Sequence, residues 1–167
     1  LCLSTLEPRK NMRLLIEAYA KMRYNKTVNH ELVLVGRKGW MVDTLLDGIP
    51  DDVKQHIHLT GFVGDDELPY VYHDADVFVF PSIYEGFGIP PVEALTCGTP
   101  VLSSDAASMP EVLGGAAEYF RSGDMQDLME KLQQVLKDKQ NRSYDTIRQY
   151  DWGAEAGKLL HWLENSR

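Results

Sequence analysis

Cysteine is nearly absent from this chain: Cys2 and Cys97 are the only two among 167 residues. Two isolated thiols supply neither a disulfide framework nor a metal cluster, which points to a reducing compartment. Cys97 lies near the end of an apolar, helix-like stretch and reads as a packing residue. Long apolar runs are also missing. None approaches the roughly 18 residues that a membrane span needs, and no secretory leader pattern is visible, so a cytoplasmic domain without a membrane span is expected. Positive charge is in deficit, with 17 Lys and Arg against 25 Asp and Glu and a formal charge of −8. Phosphate-backbone binding rests on Lys and Arg, and no basic stripe is present, so nucleic acid is excluded as a partner. Metal-binding groupings are lacking as well. His56 and His58 alternate, His30, His73 and His161 stand apart, and the acidic pair Asp74 and Asp76 runs straight into a strand-like segment; no metal is expected. Gly36-Arg-Lys-Gly39 has neither G-x-G-x-x-G nor Walker spacing, which removes the dinucleotide and P-loop readings and leaves a loop. Repeats, low-complexity tracts and linkers do not occur. Residues 1–167 therefore read as a single domain, with 44% hydrophobic residues to build one substantial core.

What the chain does have is alternation. Leu1 to Thr5 is strand-like; Met12, Leu15, Ile16, Tyr19 and Met22 then recur at helical spacing behind Asn11, a candidate N-cap. Strands are predicted at 31–36 and 57–60. Asp65-Asp-Glu67 opens a helix that can hold Pro69 only within its first turn, with Tyr70 and Tyr72 expected on one face packing on the sheet. The β-rich run Asp76-Val-Phe-Val-Phe-Pro81 precedes a helix around Pro91 that Gly98 closes. Strands at 100–104 and 118–120 and a helical carboxy end follow. Such alternation predicts an α/β fold: a Rossmann-like parallel sheet with helices on both faces and ligands at the carboxyl ends of its strands.

The most informative segment is Glu85-Gly-Phe-Gly-Ile-Pro-Pro-Val-Glu93. Gly86 and Gly88 allow positive φ and close backbone approach to a ligand, while Pro90-Pro91 lets a helix begin whose start offers N–H groups and a positive dipole end to a diphosphate. A carboxylate pressed on a phosphate would repel it, so Glu85 and Glu93 fit the neutral parts of a sugar nucleotide. Each accepts hydrogen bonds from a vicinal hydroxyl pair, Glu93 on a ribose and Glu85 on a sugar. The competing readings are an acid at a helix start and a solvated loop charge. Arg9 and Lys10, between the first strand and the first helix, are placed to neutralise the same phosphates or else are surface cations. Trp40, Phe62 and Phe87 either stack on a base or sugar or pack at element boundaries. Ser103, Ser104 and Ser108 either bond sugar or phosphate or cap a turn.

With Gly86, Phe87 and Gly88 between them, Glu85 and Glu93 resemble the E-x7-E signature of retaining GT-B glycosyltransferases. Leu6-Glu-Pro-Arg-Lys-Asn11, Leu32-Val-Leu-Val-Gly36, Thr60-Gly-Phe-Val63, Glu93-Ala-Leu-Thr-Cys-Gly-Thr-Pro-Val101, Ser108-Met-Pro-Glu-Val112 and Tyr150-Asp-Trp152 occur in the order found in the carboxy-terminal half of the GT4 family. Over nearly its whole length the chain is identified as a member of that family, as its donor-binding half. The resemblance implies transfer of a hexose from a nucleoside diphosphate sugar to an acceptor hydroxyl, with retention, without a metal or resident cofactor. It places Lys10 on the donor diphosphate with Arg9 beside it, Gly86, Phe87, Gly88 and Ile89 along the donor, Glu85 on the hexose, and Glu93 on the ribose. Gly61, Phe62 and Val63 would line the base pocket through backbone groups, or form an apolar turn. Many relatives carry an arginine six positions before the lysine; Ser4 stands there here, so either Arg9 compensates or the diphosphate is held differently. Thr5 to Asn11 and Ser104 to Glu111 look most like bacterial mannosyl transferases of cell-surface polysaccharide, which favours GDP-mannose and leaves UDP- and ADP-sugars open. Leu1 is not a start methionine, so an upstream acceptor domain is expected to engage a glycan or lipid-linked glycan, with the intact enzyme peripheral to the inner membrane face. The alternatives are a noncatalytic sugar-nucleotide sensor and a GT-B-like phosphorylase or epimerase.

Overall fold

Short runs of β-branched and aromatic residues form the strands: β1 (Cys2–Leu3), β2 (Leu32–Val35), β3 (Ile57–Gly61), β4 (Phe78–Phe80), β5 (Val101–Ser104) and β6 (Glu118–Phe120). The computed structural model describes residues 1–5, 7–37, 44–138 and 152–165. Its helices are α1 (Met12–Tyr24), α2 (Asp51–Lys54), α3 (Leu68–His73), α4 (Ile89–Thr96), α5 (Met109–Leu113), α6 (Met125–Lys137) and α7 (Trp152–Asn165). Among the described residues every strand pairing is parallel, in two three-stranded sheets ordered β1-β2-β3 and β4-β5-β6. The Leu1 nitrogen donates to the Val77 carbonyl at 2.9 Å and the Val79 N–H to the Leu1 carbonyl at 2.8 Å, which joins β1 to β4. The strands thus run β3-β2-β1-β4-β5-β6. Chain order reverses between β1 and β4, and a parallel α/β sheet opens a crevice outside the carboxyl ends of its strands at such a point.

Period-two alternation divides the core into two layers. Val77 and Val79 pack with Leu15, Ile16 and Tyr19 of α1 and Leu128 and Leu132 of α6. Phe78 and Phe80 point the other way, into Tyr72, Ala94, Leu95 and Met109 of α3, α4 and α5. The apolar residues that recur through α1, Met12, Leu15, Ile16, Tyr19 and Met22, are all buried. Cys2 is buried as well, its Sγ 3.3 Å from Met12 Sδ, and burial pushes its thiol up to about 12.

Two local expectations are corrected. Asn11 stands at the N-cap of α1 but makes no side-chain cap; it sits in the left-handed region at φ 51°, linking a 3₁₀ turn at Pro8–Lys10 to the helix. Asparagine enters that region at smaller cost than most residues. Tyr70 and Tyr72 do not share a face, because residues two apart on a helix point in opposing directions. Tyr72 is 2% exposed and Tyr70 73%. Asp65 to Glu67 form the turn before α3, with Pro69 in the first turn of the helix.

Candidate functional site

Two loops meet at the β1–β4 crevice. The first leaves β1 at Ser4, whose N–H donates to the Val35 carbonyl at 3.0 Å. Gly36 passes so close that a Cβ there would stand 1.9 Å from the Ser4 carbonyl oxygen, a contact no side chain survives. The Gly36 N–H donates to Gly61 at 2.9 Å, so the carboxyl ends of β1, β2 and β3 are drawn into one tight layer. Ser4 itself is buried and offers no charge. The second loop runs from Pro81 to Gly88 and carries Glu85; the Ile83 N–H, donating to the Arg9 carbonyl at 2.9 Å, stitches it to the first.

Glu85 joins the two loops electrostatically. Lys10 Nζ donates to its Oε1 at 2.5 Å and Arg9 Nη1 to its Oε2 at 3.0 Å, while Arg9 Nε also donates to Glu7 at 2.9 Å. Lys10 is only 8% exposed, and its ammonium lies 5.6 Å from the centre of the Phe80 ring. Partial burial alone would raise the Glu85 carboxyl. The Lys10 hydrogen bond, the Ser82 hydroxyl dipole, the Lys10 charge and the Arg9 hydrogen bond outweigh that and hold it below the usual carboxylate range. Ser82 Oγ is buried without a hydrogen bond of ordinary geometry, so it acts on Glu85 as a nearby dipole. From sequence, Lys10 and Arg9 were assigned to phosphates and Glu85 to a sugar, separately. The fold brings the three into one cluster, with Arg9 as the second cation.

The serines brace this loop. Ser108 Oγ donates to the Glu85 carbonyl at 3.2 Å and Ser104 Oγ to the Ser82 carbonyl at 2.5 Å, while Ser103 donates to the Ser104 carbonyl at 3.0 Å. Of the two readings open for them, ligand contact or a turn cap, the fully buried Ser103 and Ser104 show neither: their hydroxyls bond backbone carbonyls. Gly88 has φ +81°, a left-handed conformation that favours glycine, and a Cβ there would also push aside the flexible end of Met109, 2.4 Å away. Gly86 differs from expectation: it is not in the left-handed region, and a Cβ would meet nothing within 4 Å. The helix start is corrected too. Pro90 and Pro91 follow Ile89 in the first turn of α4 and carry no N–H, which leaves far fewer donors than an ordinary helix start. Phe87 and Ile89 are exposed at the rim.

Glu93 lies in the next turn of α4. Its Oε2 accepts the Tyr72 hydroxyl at 2.8 Å, and both residues line a cleft of about 270 Å³ between α3 and α4, with Asp65, Leu68 and Cys97 on its walls. Burial first, then the bond to Glu93, pushes the Tyr72 phenol above its ordinary value, so it is a neutral donor. Sequence reasoning took Tyr72 for packing alone; a buried phenol needs a polar partner, and that requirement was the available signal. Gly61 ends β3 at φ +75°. Phe62 is 63% exposed, with the Arg37 guanidinium 4.7 Å over its ring, and Val63 is half-buried. Leu6, Lys38, Gly39, Trp40, Tyr150 and Asp151 lie outside the described residues. Among the described residues no group of three or more His, Cys, Asp and Glu could hold a metal ion, and no helix is long and apolar enough to cross a membrane.

Residues 1–151 match the family described as glycosyl transferases group 1. The chain belongs to that family. It is 37% identical over 163 residues to O-antigen chain mannosyltransferase B of Escherichia coli, covering 97% of this chain and 42% of that protein. To O-antigen chain mannosyltransferase RfbU of Salmonella typhimurium it is 29% identical, over 96% of this chain and 45% of the relative. This group 1 chain thus spans less than half the length of these relatives. Among solved structures, TarM superposes with a TM-score of 0.79 at 23% identity, covering 95% of this chain and 33% of that one. A sucrose-phosphate synthase from Thermosynechococcus elongatus superposes with a TM-score of 0.75 at 22% identity, covering 99% and 46%. The group 1 fold seen here is that of the carboxy-terminal half of GT-B glycosyltransferases.

Proposed function

We propose that this chain binds the donor of a retaining glycosyltransferase, seating a nucleoside diphosphate hexose in the β1–β4 crevice, and that the intact protein passes the hexose to an acceptor hydroxyl in polysaccharide or glycoconjugate biosynthesis. The observation that carries the reading is the Lys10, Glu85 and Arg9 cluster beside the Gly88 loop. Cleaving the donor places negative charge on the departing diphosphate and positive charge on the sugar. Lys10, Arg9 and the N–H groups around Gly88 and Ile89 are fixed donors for the first of these, held in place before the charge develops. Glu85 occupies both cations as a built-in anion. A diphosphate entering the crevice competes for the same donors, so the carboxylate turns toward the hexose, where its oxygens accept from hydroxyls. Glu85 thereby serves the sugar without clashing with the phosphates. Glu93, in the α3–α4 cleft, accepts from the ribose, and the exposed Phe62 edge with Gly61 and Val63 borders the base.

GDP-mannose is the donor favoured, because relatives such as the Escherichia coli and Salmonella proteins carry the names of mannosyltransferases. The acceptor, a glycan or lipid-linked glycan, falls to the amino-terminal domain of the intact enzyme, working from the cytoplasmic side. Calorimetric titration with GDP, UDP and ADP tests the reading. GDP is expected to bind best and to bind more weakly to Lys10→Ala and Glu93→Ala; failure of all three at millimolar concentration, in the full-length protein as well, overturns it.

A further inference from the structure

Glu93 projects from an exposed position on α4, where a glutamate samples many rotamers, yet its Oε2 is held by one of the most deeply buried tyrosines in the chain. Tyr72 is itself buried and held on both backbone and ring. The Thr99 hydroxyl donates to its carbonyl at 2.6 Å, and its ring meets Phe78 edge to face with centroids 5.5 Å apart. Phe78 in turn stacks on Phe80 at 6.1 Å, and Phe80 carries the Lys10 ammonium that holds Glu85. Glu93 on α4 and Glu85 in the loop before it therefore stand at opposite ends of one buried aromatic rail, Tyr72, Phe78 and Phe80, closed by Lys10.

We propose that Tyr72 is a positioning residue: its hydroxyl fixes the Glu93 carboxylate so that the oxygen it leaves uncommitted meets the vicinal hydroxyls of a ribose. The inference rests on the reading of Glu93 given above. A carboxylate that must be ordered on binding loses rotamer freedom at that moment, whereas one already bonded to a rigid donor loses little. Tyr72 thus acts through Glu93 and touches no part of the ligand. The rail also fixes how far the ribose-binding carboxylate stands from the sugar-binding one.

The test is a cycle of two ligands and two proteins, read by calorimetry on whichever of GDP, UDP and ADP binds tightest and on its 2′,3′-dideoxy form. The wild-type chain is expected to prefer the ribo form by about tenfold, the worth of a hydrogen bond to a charged group. Tyr72→Phe, which keeps the ring and its contacts, should lose most of that preference while binding the dideoxy form as the wild type does. Glu93→Gln should also lose it, and adding Tyr72→Phe to Glu93→Gln should change nothing more. A Tyr72→Phe chain that keeps the full ribo preference overturns the role given to Tyr72 and leaves Glu93 on the ribose. A wild type that does not discriminate removes Glu93 from the ribose and the inference with it. Equal weakening of both ligands in Tyr72→Phe marks a packing role and overturns positioning.

Discussion

At opposite ends of one sheet, a single carboxylate bridges two basic side chains. At the amino ends of the strands Glu31 bonds His56 Nδ1 and His58 Nε2, both at 2.8 Å; at the carboxyl ends Glu85 bonds Lys10 and Arg9. An ionised carboxylate only accepts, so each histidine carries its proton on the bonded nitrogen. The contact pattern is alike and the setting is not. The Glu31 side chain is 48% exposed and the Glu85 side chain 9%. Water screens the first cluster into a surface clamp of small worth, while the second keeps its fields because little solvent enters. Ser108, the Ser82 and Ser104 pair and Phe80 also support Glu85. The pattern of charges is thus a poor guide to a site; its position in the parallel sheet and its support decide.

The largest expected effect separates the two clusters directly. Lys10→Ala leaves Glu85 with Arg9 as its remaining ion pair and should cost on the order of a hundredfold in nucleoside diphosphate affinity, about 3 kcal/mol, whereas His58→Ala should leave titration curves unchanged. Equal losses would erase the distinction. Glu85→Gln should act in the opposite sense on binding, releasing Lys10 and Arg9 to the diphosphate and tightening it by about 1 kcal/mol, while transfer by the intact protein collapses. Weaker binding instead would mean that Glu85 organises the cations rather than occupying them.

The smallest effect is in acid. Hydrogen bonds from His58 and then His56 hold the Glu31 carboxyl low, and Glu85 is low for the reasons above. A folded-state value below the unfolded one contributes stability above the unfolded pKa, and that contribution is lost as pH falls through the folded value. The urea midpoint gap between wild type and Glu85→Gln should therefore shrink below about pH 4. The gap for the solvent-exposed Glu31→Gln should be smaller at every pH; gaps of equal size would show that burial is not what distinguishes the two.

Much of the frame was legible because it is written in neighbouring residues. Burial along α1 follows from apolar spacing, the strands from short β-rich runs, and the Glu85 loop from its place after β4. Contacts between elements were not legible, since they depend on strand order. Nothing local to Lys10 announces Glu85, 75 residues away, and nothing near Glu93 announces Tyr72. Glycine was a partial guide. It marks what a backbone is allowed to do, so Gly88 and Gly86 looked alike, and the left-handed φ of Gly88 is what sets it apart. The prolines after Ile89 were read as permission to start a helix, although the same residues remove N–H donors from its start.

The bond from the Ile83 N–H to the Arg9 carbonyl bears on protein engineering. It makes the Glu85 loop a poor cassette for transplantation. A chimera that takes residues 81–93 from a relative would import Glu85 without the Pro8–Lys10 turn that receives both its backbone and its charge. Grafts intended to move donor choice between relatives should therefore exchange the two loops as a matched pair.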